Sequence, residues 1–225
     1  MLFADVVQAS AVVSATRSRL AKTEALAAVL RVAAEDAGGE GGTDGAGVRA
    51  VAGFLTGVPV QGRIGAGWRT LARVGAEAGV GVEGASAATL TVAEVDLVLG
   101  ELAGIGGVGA QGRRGEVLAG LMGRATRSEQ DFLVRLLTGE LRQGALEGVM
   151  LDAIGKACGV SGERVRRAFM LSGSLPDTAA VALLGGGSAL DGVGLEVGRG
   201  VRPMLASPGS SLVGALAELG GVCSG

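Results

Sequence analysis

The feature that most constrains this chain is the spacing of its apolar residues, which recur three and four apart over much of its length. Phe3, Val6, Val7, Ser10 and Val13 keep that interval, and Leu20, Leu26, Leu30 and Ala33 continue it in a second segment. Val92, Val95, Val98, Leu99 and Leu102 form a third stripe, with Thr91 placed to cap it. The interval returns at Val117, Leu118, Leu121 and Met122, at Phe132, Leu133, Leu136 and Leu137, at Leu146 to Ile154, and at Val165, Ala168 and Phe169. No region alternates with period two, so the spacing predicts an all-α fold, a multi-helix bundle with short connections.

The punctuation between these stripes is also readable. "GGEGGTDG" (38–45) has no apolar residue and reads as a mobile surface loop. "VRAVAGFLTG" is a short helix stopped by Gly57, and "VPVQGRIGAGW" is irregular before Trp68 opens the next helix. Ser128 with Asp131 three residues on resembles a capping box, and Ser174 followed by Pro176 has the form of a helix start. Beyond about residue 190 the periodicity fades, and "GVGLEVGRGVRPMLASPGSS" reads as extended or strand-like.

Composition narrows the chemistry. Hydrophobic residues make up 48% and aromatics only 2%, so the core must be built mainly from Ala, Val and Leu. The 43 glycines and the excess of Arg over Lys have the look of coding bias, which lowers the information carried by any one glycine. There is no His, which removes Ser-His-Asp triads, Cys-His dyads and most zinc sites, and there is no Tyr. Cys158 and Cys223 have no metal-ligand spacing, and Cys158 reads as reduced, buried filler. No run approaches the roughly 18 apolar residues of a spanning helix, and the acidic start "MLFAD" is unlike a signal peptide. These features predict a soluble cytoplasmic protein with no membrane partner.

Three places carry candidate binding chemistry. "GIGGVG" (104–109) satisfies the dinucleotide pattern, but a helix precedes it where a strand is required, so that reading fails. Its glycines lead into a helix bearing Gln111, Arg113 and Arg114, which fits either phosphate binding at a helix start or an ordinary interhelical loop. "LTGELRQGALEG" joins two helices through Gly139, Glu140, Leu141, Arg142, Gln143 and Gly144. With Leu141 tucked inward, Arg142 would point outward between two glycines, as a phosphate-gripping turn or as a plain hairpin with a solvated arginine. "ERVRRAF" places Arg164 and Arg167 on one face, with Glu163 four residues from Arg167. Residues 109–170 hold 10 basic side chains against 7 acids, while residues 1–100 hold 8 against 10. The net charge of −2 therefore masks a basic region that is permissive for DNA.

The stretch "RATRSEQDFLVRLLTGELRQGALEGVMLDAIGKACGV" and the following "VRRAFMLSGSLPDTAAVAL" resemble the helical amino-terminal DNA-binding domain of ATP-dependent DNA ligases, in particular the actinobacterial type. "LFADVVQAS", "GRIGAGWRTL" and "TVAEVDLVLGEL" extend the resemblance, and "VRPMLASPG" resembles the lead into a ligase nucleotidyltransferase domain. The resemblance implies a helical DNA-binding domain over 1–195 and, over 196–225, a linker or the start of a truncated nucleotidyltransferase domain. It implies contacts to phosphates and the minor groove of duplex or nicked DNA, serving nick sealing in repair, recombination or replication and placing the protein at the nucleoid. Carried over by position, the contact residues are Thr138, Gly139, Arg142 and Gly144, then Gln111 and Arg114, then Lys156 and Arg167.

The same resemblance implies ATP and Mg in the complete enzyme, through a Lys-x-Asp-Gly motif. Lys22 and Lys156 are the only lysines here, and neither is followed by that sequence. The chain alone is therefore expected to bind no cofactor and to carry no catalytic residue, with sealing left to a separate or downstream catalytic domain. The alternatives are a helical protein-interaction module derived from a ligase, or an incomplete chain of an ordinary ligase.

Overall fold

The computed structural model describes residues 1–38, 45–77, 84–141 and 145–201. Ten helices form the regular structure of these residues: α1 (Phe3–Ala15), α2 (Arg19–Ala37), α3 (Ala46–Thr56), α4 (Trp68–Glu77), α5 (Val92–Gly104), α6 (Ala110–Arg124), α7 (Arg127–Thr138), α8 (Ala145–Cys158), α9 (Gly162–Ser172) and α10 (Leu175–Asp191). The fold is all-α, as the apolar interval requires. Among the described residues the one β interaction is an isolated antiparallel bridge between Leu2 and Thr91.

Local chemistry fixes several helix ends. Thr91 accepts from the Glu94 amide at 3.2 Å while the Glu94 carboxylate accepts from the Thr91 amide at 2.9 Å, closing a capping box on α5. Ser174 caps α10, with Pro176 in its first turn, where a missing N–H costs nothing. Gly57 stops α3 in the left-handed region, at φ 71°. On α7 the capping box is Thr126 with Glu129, and the expected Ser128–Asp131 pair does not form it. The glutamate side chain is one methylene longer, which lets it reach back to the Thr126 amide at 2.7 Å and start the helix two residues earlier.

Three of the four phenylalanines meet at the centre. Phe3 of α1 stacks edge-on with Phe54 of α3 and Phe132 of α7, at centroid separations of 5.7 and 5.5 Å, and all three are fully buried. Small residues then let the helices close around this cluster. α2 packs on α1, α3 and α8, while α10 packs on α3, α8 and α9. α5 and α4 both lean on α6, so α4, α6 and α7 form a flank with the irregular segment 58–67 beside it.

Several expectations need correction. Leu20 does not join the buried stripe of α2: it stands in the first turn, 68% exposed, and the buried set begins at Thr23. Residues 193–201 form no strand; they run irregularly with one turn at 197–198. Cys158 is half-buried, its thiol donating to the Ile154 carbonyl, and burial pushes its pKa upward. The expected loop at 38–45 lies mostly outside the described residues, as do Arg142, Gln143, Gly144 and Cys223. No helix among the described residues is long and apolar enough to cross a membrane.

Candidate nucleic-acid interface

The outer face of α7 is the spine of the candidate site. Its first two turns border a groove of about 560 Å³ whose floor is apolar: Leu71 and Val74 from α4, Met122 from α6 and Val134 from α7. Trp68 and the side chains of Arg127 and Arg135 line the same groove. Trp68 is 63% exposed, an unusual position for the one tryptophan of a chain so poor in aromatics. Further along, Leu136 and Leu137 share a second groove of about 460 Å³ with residues 62–67. Both grooves border α7, which spans about 16 Å from Arg127 to Thr138 at 1.5 Å per residue.

At the far end stands the turn marked out by the sequence. Thr138 donates its hydroxyl back to the Val134 carbonyl at 2.9 Å. Gly139 adopts φ 78°, and the Glu140 amide returns to the Arg135 carbonyl at 2.9 Å, ending the helix abruptly. Leu141 is buried, as expected, so it pins the turn to the core beside Leu26, Leu55 and Leu146. The turn therefore has a rigid near side, to which Thr138 and Gly139 belong. Its other candidates, Arg142 and Gly144, fall outside the described residues.

The cations on this flank differ from those elsewhere. Arg63, Arg69 and Arg135 form no ion pair with a described residue, and Arg127 has only an exposed contact to Asp131 at 3.5 Å, one turn along its own helix. On α8 and α9 almost every cation is engaged. Lys156 meets Glu24, Arg166 and Arg19 both meet Asp152, and Arg164 holds Asp191 through two nitrogens. That guanidinium keeps the Asp191 carboxyl below its ordinary range. Arg167 donates to the Val193 carbonyl at 3.5 Å, and the expected Glu163–Arg167 pair is not formed. Lys22 and Arg31 on α2 also form no ion pair with a described residue, so a free charge alone marks no site; α7 adds the Trp68-lined groove and the glycine turn to its unpaired arginines.

Arg114 and Gln111 occupy a supporting position. Arg114 donates to the carbonyls of Leu102, at 3.3 Å, and Ile105, at the end of α5. Its guanidinium also lies against Gly65, where a Cβ would sit 3.0 Å away, and Gly65 itself adopts φ 71°. It is thus a strut between the α5–α6 connection and the segment that borders the second groove. Arg113 likewise turns back to the Gly106 carbonyl, at 2.7 Å. The Gln111 carbonyl accepts from Arg73 of α4, tying α4 to the start of α6. Helix α6 does begin at Ala110 with Gly109 at φ 76°, but α5 precedes the glycines, which excludes the dinucleotide fold.

Among the described residues nothing gathers that would hold ATP or a metal ion in the way the resemblance implies. Neither lysine lies in a Lys-x-Asp-Gly sequence, Lys156 is paired with Glu24, and no group of three potential ligands gathers among the described residues. No step of nucleotidyl transfer is assigned to these side chains. Trp68, Arg63, Arg69, Arg127 and Arg135 are the residues that sequence reasoning passed over. The signal available for them was an aromatic residue beside an arginine in "GRIGAGWR", a sequence that periodicity treats as a loop and a helix start.

Comparison with known proteins gives a match that includes these residues. A family model described as DNA ligase N terminus matches residues 63–155, which include the segment 63–67, α4 and the whole of α7. A probable DNA ligase of Saccharopolyspora erythraea is 52% identical over 99% of this chain, and one of Nocardia farcinica is 50% identical over 100% of this chain. A probable DNA ligase of Mycolicibacterium vanbaalenii is 48% identical over 98% of the chain. The chain spans about two-fifths of the length of these curated relatives. Residues 63–155 thus match the DNA ligase N-terminus family, and probable DNA ligases match the chain along nearly its whole length.

Proposed function

We propose that this chain is the duplex-binding part of an ATP-dependent DNA ligase, and that it holds nicked DNA against the outer face of α7. The observation that carries this reading is a set of arginines with no strong acidic partner among the described residues: Arg63, Arg127 and Arg135 on the grooves that border α7, and Arg69 next to Trp68, with the glycine turn at Thr138–Gly139 close to Arg135. Such a set suits phosphates, which fix position without reading sequence. Arg142 and Gly144 extend it on the strength of the resemblance, while Gln111 and Arg114 support the segment behind it. Lys156 is paired with Glu24 and Arg167 donates to the Val193 carbonyl, so in this reading they rank behind the arginines of the α7 flank. Adenylation, with its ATP and Mg, and sealing in repair, recombination or replication belong in this reading to a catalytic domain such as the longer relatives have room for.

Fluorescence anisotropy with a labelled nicked duplex tests the proposal. If the four arginines reach phosphates, log K should fall against log salt with a slope of roughly −3.6. Binding that ignores salt, or no binding in low salt, would overturn it and favour a protein partner.

A further inference from the structure

A third groove, of about 500 Å³, lies between the segment that follows α3 and the turn that joins α9 to α10. Val58, Pro59 and Val60 line one side of it, and Leu175 and Pro176 line the other. The first wall is built rather than loose. The Val58 amide donates to the Gly53 carbonyl at 2.9 Å, and a Cβ on Gly53 would sit 2.9 Å from the Val58 carbonyl oxygen, so only glycine lets the segment lie this close on α3. Val58 and Val60 are nevertheless exposed, which leaves two branched apolar side chains in water on a fixed wall.

The chain's own course leads to the mouth of this groove. After α10, Val193 packs on the core, and its carbonyl accepts from Arg167 at 3.5 Å. The Arg199 amide donates to the Glu196 carbonyl at 3.1 Å, turning the segment. Gly200 then passes over Gly173, a lining residue of the groove: a Cβ on Gly173 would sit 3.3 Å from the Gly200 carbonyl oxygen. Val201, also exposed, is the last described residue.

We infer that the segment 202–209 docks in this groove, with Met204 and Leu205 against Val58, Val60 and Leu175. Four extended residues reach about 13 Å, so both side chains can enter from the position of Val201. The segment "RPMLASPG" is charged only at Arg202, which suits a rim that holds Asp177 and Glu147. Those carboxylates disfavour a polyanion, and Arg49 at the same rim is bound to Asp177 at 2.7 Å. Tethering at the groove's edge gives the segment a roughly millimolar effective concentration, an advantage that a second copy lacks. Docking makes the exit of the chain a strap across α3 and α10. The inference does not depend on the DNA-binding reading.

Methyl NMR of the whole chain, labelled with 13C at its five methionines, tests it. Met204→Leu identifies the Met204 signal. In the native chain that signal should lie away from the free-methionine value and cross-relax with valine methyls. Val60→Asp, and separately Leu205→Asp, should return it to the free value. Met122 and Met150, buried in the core, should keep their own shifts in both variants, which shows that the fold is intact. A Met204 signal at the free value in the native chain would overturn the inference, as would one that ignores both substitutions. Cross-relaxation that vanishes on dilution would assign the groove to a second copy and overturn it too.

Discussion

The flank built around α7 and the block formed by α8 and α9 carry similar numbers of cations and use them in opposite ways. On α8 and α9, Lys156, Arg164 and Arg166 each find a carboxylate on another element or turn, so their charge is consumed in holding helices together. On the α7 flank, Arg63, Arg69 and Arg135 have no acidic partner among the described residues, and the same flank leaves a tryptophan open. A count of charges over residues 109–170 rates α7, α8 and α9 alike as basic. The difference is that one has already been neutralised by the fold. What attracts a polyanion is the unpaired remainder, not the total.

The largest expected effect tests whether the α7 flank depends on the central cluster. Phe132 is fully buried and edge-on to Phe3, so Phe132→Ala should cost about 3–5 kcal/mol, seen as a large fall in melting temperature. An unchanged melt would mean that α7 is not anchored there. Next in size is a paired contrast on DNA. Arg135→Ala should lower duplex affinity about tenfold, the loss of one charge-assisted contact, whereas Lys156→Ala should change it less than about twofold, because an exposed pair offers little free charge. Anisotropy titrations of the two variants at one salt concentration decide this. Equal losses would erase the distinction between the two regions.

The smallest effect concerns pH and lies on α5. Arg124, then the Thr91 amide and hydroxyl, hold the Glu94 carboxyl down at about 2, against 4.5 ordinarily. A carboxylate depressed in the folded state adds stability that is complete above its unfolded value and fades as pH falls toward the folded one. Melting temperatures of the native chain should therefore decline between pH 5 and 2 more steeply than those of Glu94→Gln. Parallel curves would show that the capping box and the Arg124 pair do not matter to stability.

Much of the fold was legible because helices are specified over short distances. The Thr91 cap, the Ser174–Pro176 start and the Gly57 stop each depend on neighbours within about four residues. Even the error on α7 was local: Thr-x-x-Glu and Ser-x-x-Asp overlap by two residues, and the longer acid prevailed. The candidate site was legible in part. The glycine turn announced itself through spacing and resemblance, and the structure sets Thr138 and Gly139 on its near side. Trp68 was read as a helix start, since nothing in a periodic pattern says whether a large apolar residue at the edge of a helix will be covered.

The sequence by itself determined that this chain is helical, where most helices begin and stop, and that it resembles a ligase domain. Periodicity and capping act within a turn, so one strand of text contains them. Tertiary structure decided which arginines remain available. Arg19 meets Asp152 across 133 positions, and Lys156 meets Glu24 across 132. No local pattern records such partners, because they become neighbours only when the apolar faces have closed and brought distant helices side by side. The same closure leaves Trp68 uncovered, and that turns a helix start into the rim of a groove.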